Sequence, residues 1–360
     1  MGQKLCYDKR STNSSFNDQS FMTPTISFKD NKPLLESAKF ATITHSVNNT
    51  KTLSSYIIGR KLGTGSYGVV YHATHPCTSS QFAVKCINKQ KVTMSGHDKT
   101  MEHLLTEIEV MSTVISENII RLYDVFQDQT NYYLILDYCN KGDFVNYMKE
   151  RGIHYLAEQE AVFFLKQIKN AFFELRKHQV MHRDVKLENL FIHNETLKLG
   201  DFGFSKIRQS RANSILGSKY TMAPEILLNI GKTAKYDAKV DLWSVGCVFY
   251  EMLFGEKFNH LTCKDGSIKT QIKSIKMYKE EDLYFPRPIS ESAKNMLRRL
   301  LTKNSLRRMS FEEFFAHELF REEGGYEKHN YVTGIVNRND NWVKGDEYWN
   351  VGNENDYFGV

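Results

Sequence analysis

The chain has 360 residues, 41% of them hydrophobic and 25% charged. That supports one large packed domain or two smaller ones and excludes wholesale disorder. Basic residues outnumber acidic ones 48 to 42, with no long Lys/Arg block, so the balance gives a solvated mixed-charge surface and no call for nucleic acid as a partner.

In chain order, residues 1–50 are rich in Ser, Thr, Asn and Lys without periodicity, and a flexible leader is expected over 1–55. The start, MGQKLC, puts Gly2 where N-myristoylation needs glycine, although Cys6 replaces the preferred Ser or Thr. A single acyl chain anchors weakly, so palmitoylation of Cys6 would be the second membrane signal. The alternative is an ordinary leader with a chance glycine. Cysteines 6, 77, 86, 139, 247 and 263 follow no metal-ligand or C-x-x-C spacing, which fits reduced thiols. No apolar run reaches the ~20 residues of a membrane span, and the first thirty residues are too polar for a signal peptide. A cytoplasmic location is expected, membrane-associated if the N-terminus is lipidated.

From Tyr56 short β-branched and aromatic runs alternate with turn residues: YIIGRKL, VVYHAT, QFAVKCINK. Residues 99–114 carry apolar side chains at 101, 104, 105, 108, 111 and 114, the spacing of one helix. IIRLYDVFQ and YYLILDY return to strand. Beyond Asp143 helices dominate: EQEAVFFLKQIKNAFFELRKH is amphipathic, DLWSVGCVFYEML is apolar nearly all round and should be buried. Ser310 with Glu313 forms a candidate capping box. Residues 321–360 lack periodicity and read as an extended tail.

Between the first two strands lies LGTGSYGVV, with Leu62, Gly63, Gly65, Gly68 and Val70. A G-x-G-x-x-G run fits either a dinucleotide turn that opens a helix or a hairpin lid over ATP phosphates. Here strands flank it on both sides, which favours the lid. Phosphoryl transfer from ATP needs the phosphates covered, their charge neutralised, metal held and an acceptor hydroxyl aligned. Glycine backbone can approach phosphate oxygens closely, and Val70 would cap the adenine. Lys85 on the next strand would bind α- and β-phosphates. Either Glu107 or Glu109 supplies its counter-charge. The two face different sides of the helix, and Glu107 shares a face with Leu104 and Met111. In HRDVKLENLF, Asp184 would receive or orient the acceptor proton, Lys186 would neutralise the moving phosphoryl group and Asn189 suits Mg²⁺. Asp201 of GDFGF is the second metal candidate.

In order and spacing, G-x-G-x-x-G-x-V, A-V-K, H-R-D-x-K-x-x-N, D-F-G and A-P-E resemble the eukaryotic protein kinases over residues 56–320. The resemblance implies an α+β bilobal kinase fold. A small antiparallel β lobe with one helix (56–138) would sit on a larger, mainly helical lobe (139–320). Lys186, two after the Asp, resembles the serine/threonine branch. TEIEVM, SENII, YLILDYCNKGDF and MAPEIL look most like the calcium/calmodulin-dependent and autophagy-initiating groups. The implied activity is transfer of the ATP γ-phosphoryl group, with Mg²⁺, to Ser/Thr of protein substrates. A pseudokinase scaffold is the alternative, disfavoured by the complete catalytic set. A small-molecule phosphotransferase is disfavoured by the A-P-E segment.

The resemblance places further residues. Leu136 corresponds to the gatekeeper. The Asp137 carbonyl and Cys139 backbone would meet the adenine edge, with Val70, Ala83 and Phe191 around the ring. Phe191 departs from the usual Leu. Met111, Leu122, His182 and Phe202 correspond to a regulatory stack anchored by Asp241, and Arg308 would pair with Glu225. Ser214 aligns with the phosphorylated position of the activation segment, and Arg183, Lys206 and His103 with a basic pocket for that phosphate. An upstream kinase or autophosphorylation would supply it. Ser218 would contact Asp184 and Lys186. Tyr220 sits one position early, which unsettles substrate choice. Glu188 and Glu251 match positions that in some kinases favour a basic residue before the acceptor; both also read as solvated or structural carboxylates. DEYWNV (346–351) and DYFGV (356–360) resemble segments that add as strands to ubiquitin-like proteins. The alternative is a loose or self-docking tail.

Overall fold

The computed structural model describes residues 35, 38–45, 51–65, 68–94, 98–207, 218, 220–230, 236–258 and 267–321. Gly2, Cys6, Ser214 and the tail segments around Tyr348 and Tyr357 lie outside the described residues.

Alternation builds the small lobe. Its strands are β1 (Lys39–Phe40), β2 (Ile43–His45), β3 (Lys51–Leu53), β4 (Tyr56–Gly65), β5 (Gly68–Thr74), β6 (Gln81–Asn88), β7 (Leu122–Gln127) and β8 (Asn131–Asp137). Helices α1 (Lys89–Met94) and α2 (Asp98–Thr113) lie between β6 and β7. The spatial order is β1-β7-β8-β6-β5-β4-β3-β2. Along β6 successive side chains face opposite ways. Ala83 and Ile87 join the main core with Leu104, Ile108 and Met111 of α2. Phe82, Val84 and Cys86 face a second core with Leu53, Tyr56, Phe126, Tyr133 and Ile135.

Three features depart from the sequence reading. The small lobe carries a short α1 before α2. One strand pair, β1 with β7, is parallel. And the expected leader is not structureless throughout: residues 39–53 supply three strands. β1 pairs with β7, β2 with β3, and β3 with β4. The Ala41 N–H donates to the Gln127 carbonyl at 2.7 Å and the Ser54 N–H to the Thr42 carbonyl at 2.7 Å. Thus the two outer strands of the sheet, β1 and β2, are consecutive in the chain. A link this short spans about 10 Å at most, so the sheet must curl until its edges approach. The Gln127 amide reinforces the join, donating to the Ala38 carbonyl at 3.0 Å. Strands of two or three residues amid Ser, Thr and Asn leave no periodicity to read.

The large lobe holds α3 (Phe144–Glu150), α4 (Glu158–Lys177), β9 (Val180–Met181), β10 (Leu190–His193), β11 (Thr196–Leu199) and β12 (Lys206–Ile207). It continues with α5 (Pro224–Leu227), α6 (Lys239–Phe254), α7 (Ile268–Met277), α8 (Glu291–Leu300) and α9 (Phe311–Phe315). Asp143 caps α3 through the Asn146 N–H, and Ser310 with Glu313 forms the capping box of α9. Helix α6 is buried along almost its whole length, as its all-round apolar sequence requires.

Leu53 on β3 is 1% exposed, inside the second core. Leu53→Ala should therefore cost about 3 kcal/mol in urea unfolding, the usual penalty for a buried Leu. A free leader would give no change.

Candidate active site

Strand pairing places the upper half of the site. β4 and β5 form the hairpin, with Gly65 opposite Gly68 and Gly63 opposite Val70. Val70 in turn pairs with Lys85 on β6. Leu62, Val70, Cys139 and Phe191 are partly buried at the edge of the main core, with Ala83 buried among them. The glycines divide in role. A Cβ on Gly63 or Gly65 would meet nothing within 4 Å, whereas on Gly68 it would lie 1.7 Å from the Cys86 carbonyl oxygen. Gly68 is required by the close approach of β5 to β6; the other two are open to a ligand.

Lys85 Nζ lies 2.7 and 2.9 Å from the two Glu107 oxygens. Glu107 is buried beside Leu104 and Met111, and Glu109 faces solvent. Burial pushes the Glu107 carboxyl above its usual range, and Lys85 partly offsets this.

The lower half hangs on the turn after β9. The Asp241 carboxylate on α6 accepts the N–H groups of His182 (2.8 Å) and Arg183 (2.7 Å). Arg183 has φ +69°, a costly left-handed geometry for a long side chain. The His182 ring accepts the Asp184 N–H at Nδ1 (3.2 Å), so Nε2 carries the proton and donates to the Gly200 carbonyl (3.0 Å). The same ring meets Phe202 edge-on at 4.9 Å. Met111, Leu122, His182 and Phe202 are all buried.

Around Asp184 the contacts converge. Lys186 Nζ lies 3.0 Å from Oδ2, Asn189 Nδ2 donates to Oδ2 (3.0 Å) and to the Asp184 carbonyl (2.8 Å), and the Ser218 N–H donates to Oδ1 (2.7 Å). The Ser218 contact is made by backbone. Burial works against the Lys186 charge, but Asp184, Glu188 and Asp201 together outweigh it and hold the pKa above the ordinary lysine value. Asp201, at φ +58°, is exposed, and its Oδ1 accepts a long bond from the Gly203 N–H (3.4 Å). Asn189 directs its amide nitrogen to Asp184, which leaves Oδ1 as an acceptor. Asn189 and Asp201 are thus two oxygen donors suited to Mg²⁺, whose shell is commonly completed by phosphate and water.

The regulatory candidates among the described residues have partners in the fold. The Arg183 Nε donates to the Phe204 carbonyl (2.5 Å) and Nη1 to the Tyr236 hydroxyl (3.3 Å). His103 on α2 meets the Phe204 ring at 5.4 Å. Lys206 sits on β12, paired with Met181 of β9.

Asp137 does more than offer a backbone edge. Its carboxylate accepts the Arg121 N–H (2.9 Å) and the Tyr123 hydroxyl (2.9 Å) and lies 3.0 Å from Lys198 Nζ on β11, joining the lobes. Sequence reasoning missed Tyr123 and Lys198, because nothing local links positions so far apart. Phe191 also has a partner: a Cβ on Gly200 would come within 3.1 Å of its ring, so the larger side chain sits against a residue that has none. Arg308, wholly buried, makes two 2.8 Å bonds to Glu225.

A curled sheet over a helical lobe, with a lysine–carboxylate pair above and an Asp–Lys–Asn cluster below, defines the bilobal kinase class. The protein kinase domain family matches residues 56–320, and the chain belongs to that family. It is 32% identical over 286 residues, 77% of this chain, to serine/threonine-protein kinase ATG1c of Arabidopsis thaliana. It is 34% identical over 278 residues (74%) to serine/threonine-protein kinase atg1 of Dictyostelium discoideum, and 34% over 271 residues (74%) to serine/threonine-protein kinase ULK3 of Xenopus laevis. The matched span is 37%, 39% and 55% of those relatives' own lengths.

Gly68→Ala should force β5 from β6 and lower stability by about 2 kcal/mol or more, while Gly65→Ala leaves the melting temperature near wild type. Thermal melts of the two variants check the division between packing and lid.

Proposed function

We propose that the chain is a serine/threonine protein kinase that transfers the γ-phosphoryl group of ATP to protein hydroxyls. The observation that carries this is Lys186 Nζ at 3.0 Å from the Asp184 carboxylate, a cation beside the group that would meet an acceptor hydroxyl. Gly63 and Gly65 would offer backbone N–H groups to the phosphates, and Lys85, held by Glu107, would neutralise them. Val70, Ala83 and Phe191 would enclose adenine, with the Asp137 carbonyl and Cys139 backbone at its edge. Asp184 would orient the acceptor hydroxyl and take its proton, and Lys186 would offset charge on the moving phosphoryl group. Asn189 and Asp201 would hold Mg²⁺, which when bound screens the phosphate charge.

The test is transfer of radiolabel from ATP with Mg²⁺ to a generic protein. Asp184→Asn should lower the rate by about 10³-fold with the melting temperature unchanged, and phosphoamino-acid analysis should find label on Ser and Thr. Wild-type rates in Asp184→Asn would remove the reading.

Regulation by phosphorylation of Ser214 belongs to the same proposal. Lys206 and the α2 face near His103 would answer the new charge. Ser214→Ala should then remain at basal activity after treatment with an activating kinase that raises the wild type; full activation of the variant would refute this part. Free thiols at Cys86, Cys139 and Cys247 support a reducing, cytoplasmic compartment. Membrane anchoring through Gly2 and Cys6, and docking of the tail on a ubiquitin-like partner, rest on sequence alone.

A further inference from the structure

Glu188 lies two residues past Lys186, and Tyr220 two past Ser218. Lys186 and Ser218 both touch the Asp184 carboxylate. Glu188 and Tyr220 thus lie near the place where a peptide hydroxyl would reach Asp184. Lys257, just beyond the end of α6, reaches both of them. Its Nζ lies 3.8 Å from Glu188 Oε1 and 4.6 Å from the centroid of the Tyr220 ring. Glu251, in the last turn of α6, belongs to the same cluster. Burial pushes its carboxyl up to about 7, with Lys257 pulling it down and Glu188 pushing it up.

An exposed carboxylate such as Glu188, backed by Glu251, would ordinarily attract a substrate Arg or Lys. Here a cation of the chain itself already lies against Glu188, with the Tyr220 ring also beside it. An incoming basic side chain would have to displace that ammonium or sit beside a like charge.

We propose that Lys257 is a specificity-determining residue: seated between Glu188 and Tyr220, it fills the acidic subsite, so the kinase does not select substrates by a basic residue there. The proposal rests on the serine/threonine kinase reading above. Lys257 and Glu188 are 38% and 49% exposed, so the effect is set by a partly solvated pair and should be about fivefold rather than hundredfold.

The experiment uses the full chain as wild type, K257M, K257R and the double variant K257M/E188Q. The substrates are an Arg-free serine peptide and versions with one Arg walked through four positions on each side of the serine. The readout is kcat/KM of each relative to the Arg-free parent. Wild type and K257R should give ratios near one throughout. K257M should raise the ratio about fivefold at one or more positions, through peptide KM and with ATP KM unchanged, and adding E188Q should abolish the gain. K257Q removes the same charge and replaces K257M if that variant does not fold. Unchanged ratios in the neutral variants, a gain in K257R equal to theirs, or a strong Arg preference already in wild type each overturn the proposal. No transfer to any peptide by wild type removes the kinase reading itself, and this inference with it.

Discussion

One buried carboxylate, Asp241, receives the backbone N–H groups of both His182 and Arg183, and most of the lower half of the site follows from that. Burial raises the cost of its charge, and the two N–H donors together with the Arg183 charge offset it in part. The turn so held puts Arg183 in a left-handed conformation that an isolated chain would leave. From this turn, the His182 ring reaches up to Gly200 and Phe202, the Arg183 guanidinium reaches the Phe204 carbonyl, and Asp184 faces Lys186 and Asn189. Removing the carboxylate would strand two buried N–H groups at about 1–3 kcal/mol each. It would also release three side chains that act on different parts of the cleft.

The upper half depends on a different balance. Lys85 and Glu107 belong to separate elements, β6 and α2, and meet only because the sheet curls over the helix. Residues 39–45, which supply and join the sheet's outer strands, therefore bear on the site although no motif marks them. One set of contacts between the lobes runs from residues 118–137 to β11. There the Ile120 N–H donates to the Leu199 carbonyl at 2.9 Å, the Leu199 N–H to the Asn118 carbonyl at 2.9 Å, and Asp137 meets Lys198. Backbone ladder and side-chain ion pair thus fix one edge of the cleft while the glycine hairpin stays open at the other.

Much of this was legible in the chain. The strand–glycine–strand order separated a lid from a dinucleotide turn, and helical spacing chose Glu107 over Glu109, a choice the 2.7 Å contact to Lys85 matches. The apolar run of α6 announced a buried helix, and Ser310 with Glu313 announced the α9 cap. Less was legible where partners are distant or strands are short. Residues 39–53 read as leader because two- and three-residue strands have no period. The Arg183 acceptors, Phe204 and Tyr236, could not be read either, because they come from other elements. Gly68 read as a phosphate ligand like its neighbours, yet the approach of Cys86 gives it a packing reason of its own.

By itself, then, the sequence determined the order of the longer elements from Tyr56 onward, the family and the set of side chains able to act on a phosphate. These are properties of residue type, spacing and local periodicity. The tertiary structure decided which other charges meet, Lys198 with Asp137 and Lys257 with Glu188, and set the Arg183 guanidinium against the Phe204 carbonyl. The physical reason is that each of these pairings joins elements far apart in the chain. Which opposite charge a side chain meets is fixed by how sheet, hinge and helices pack, and no local pattern encodes that distance.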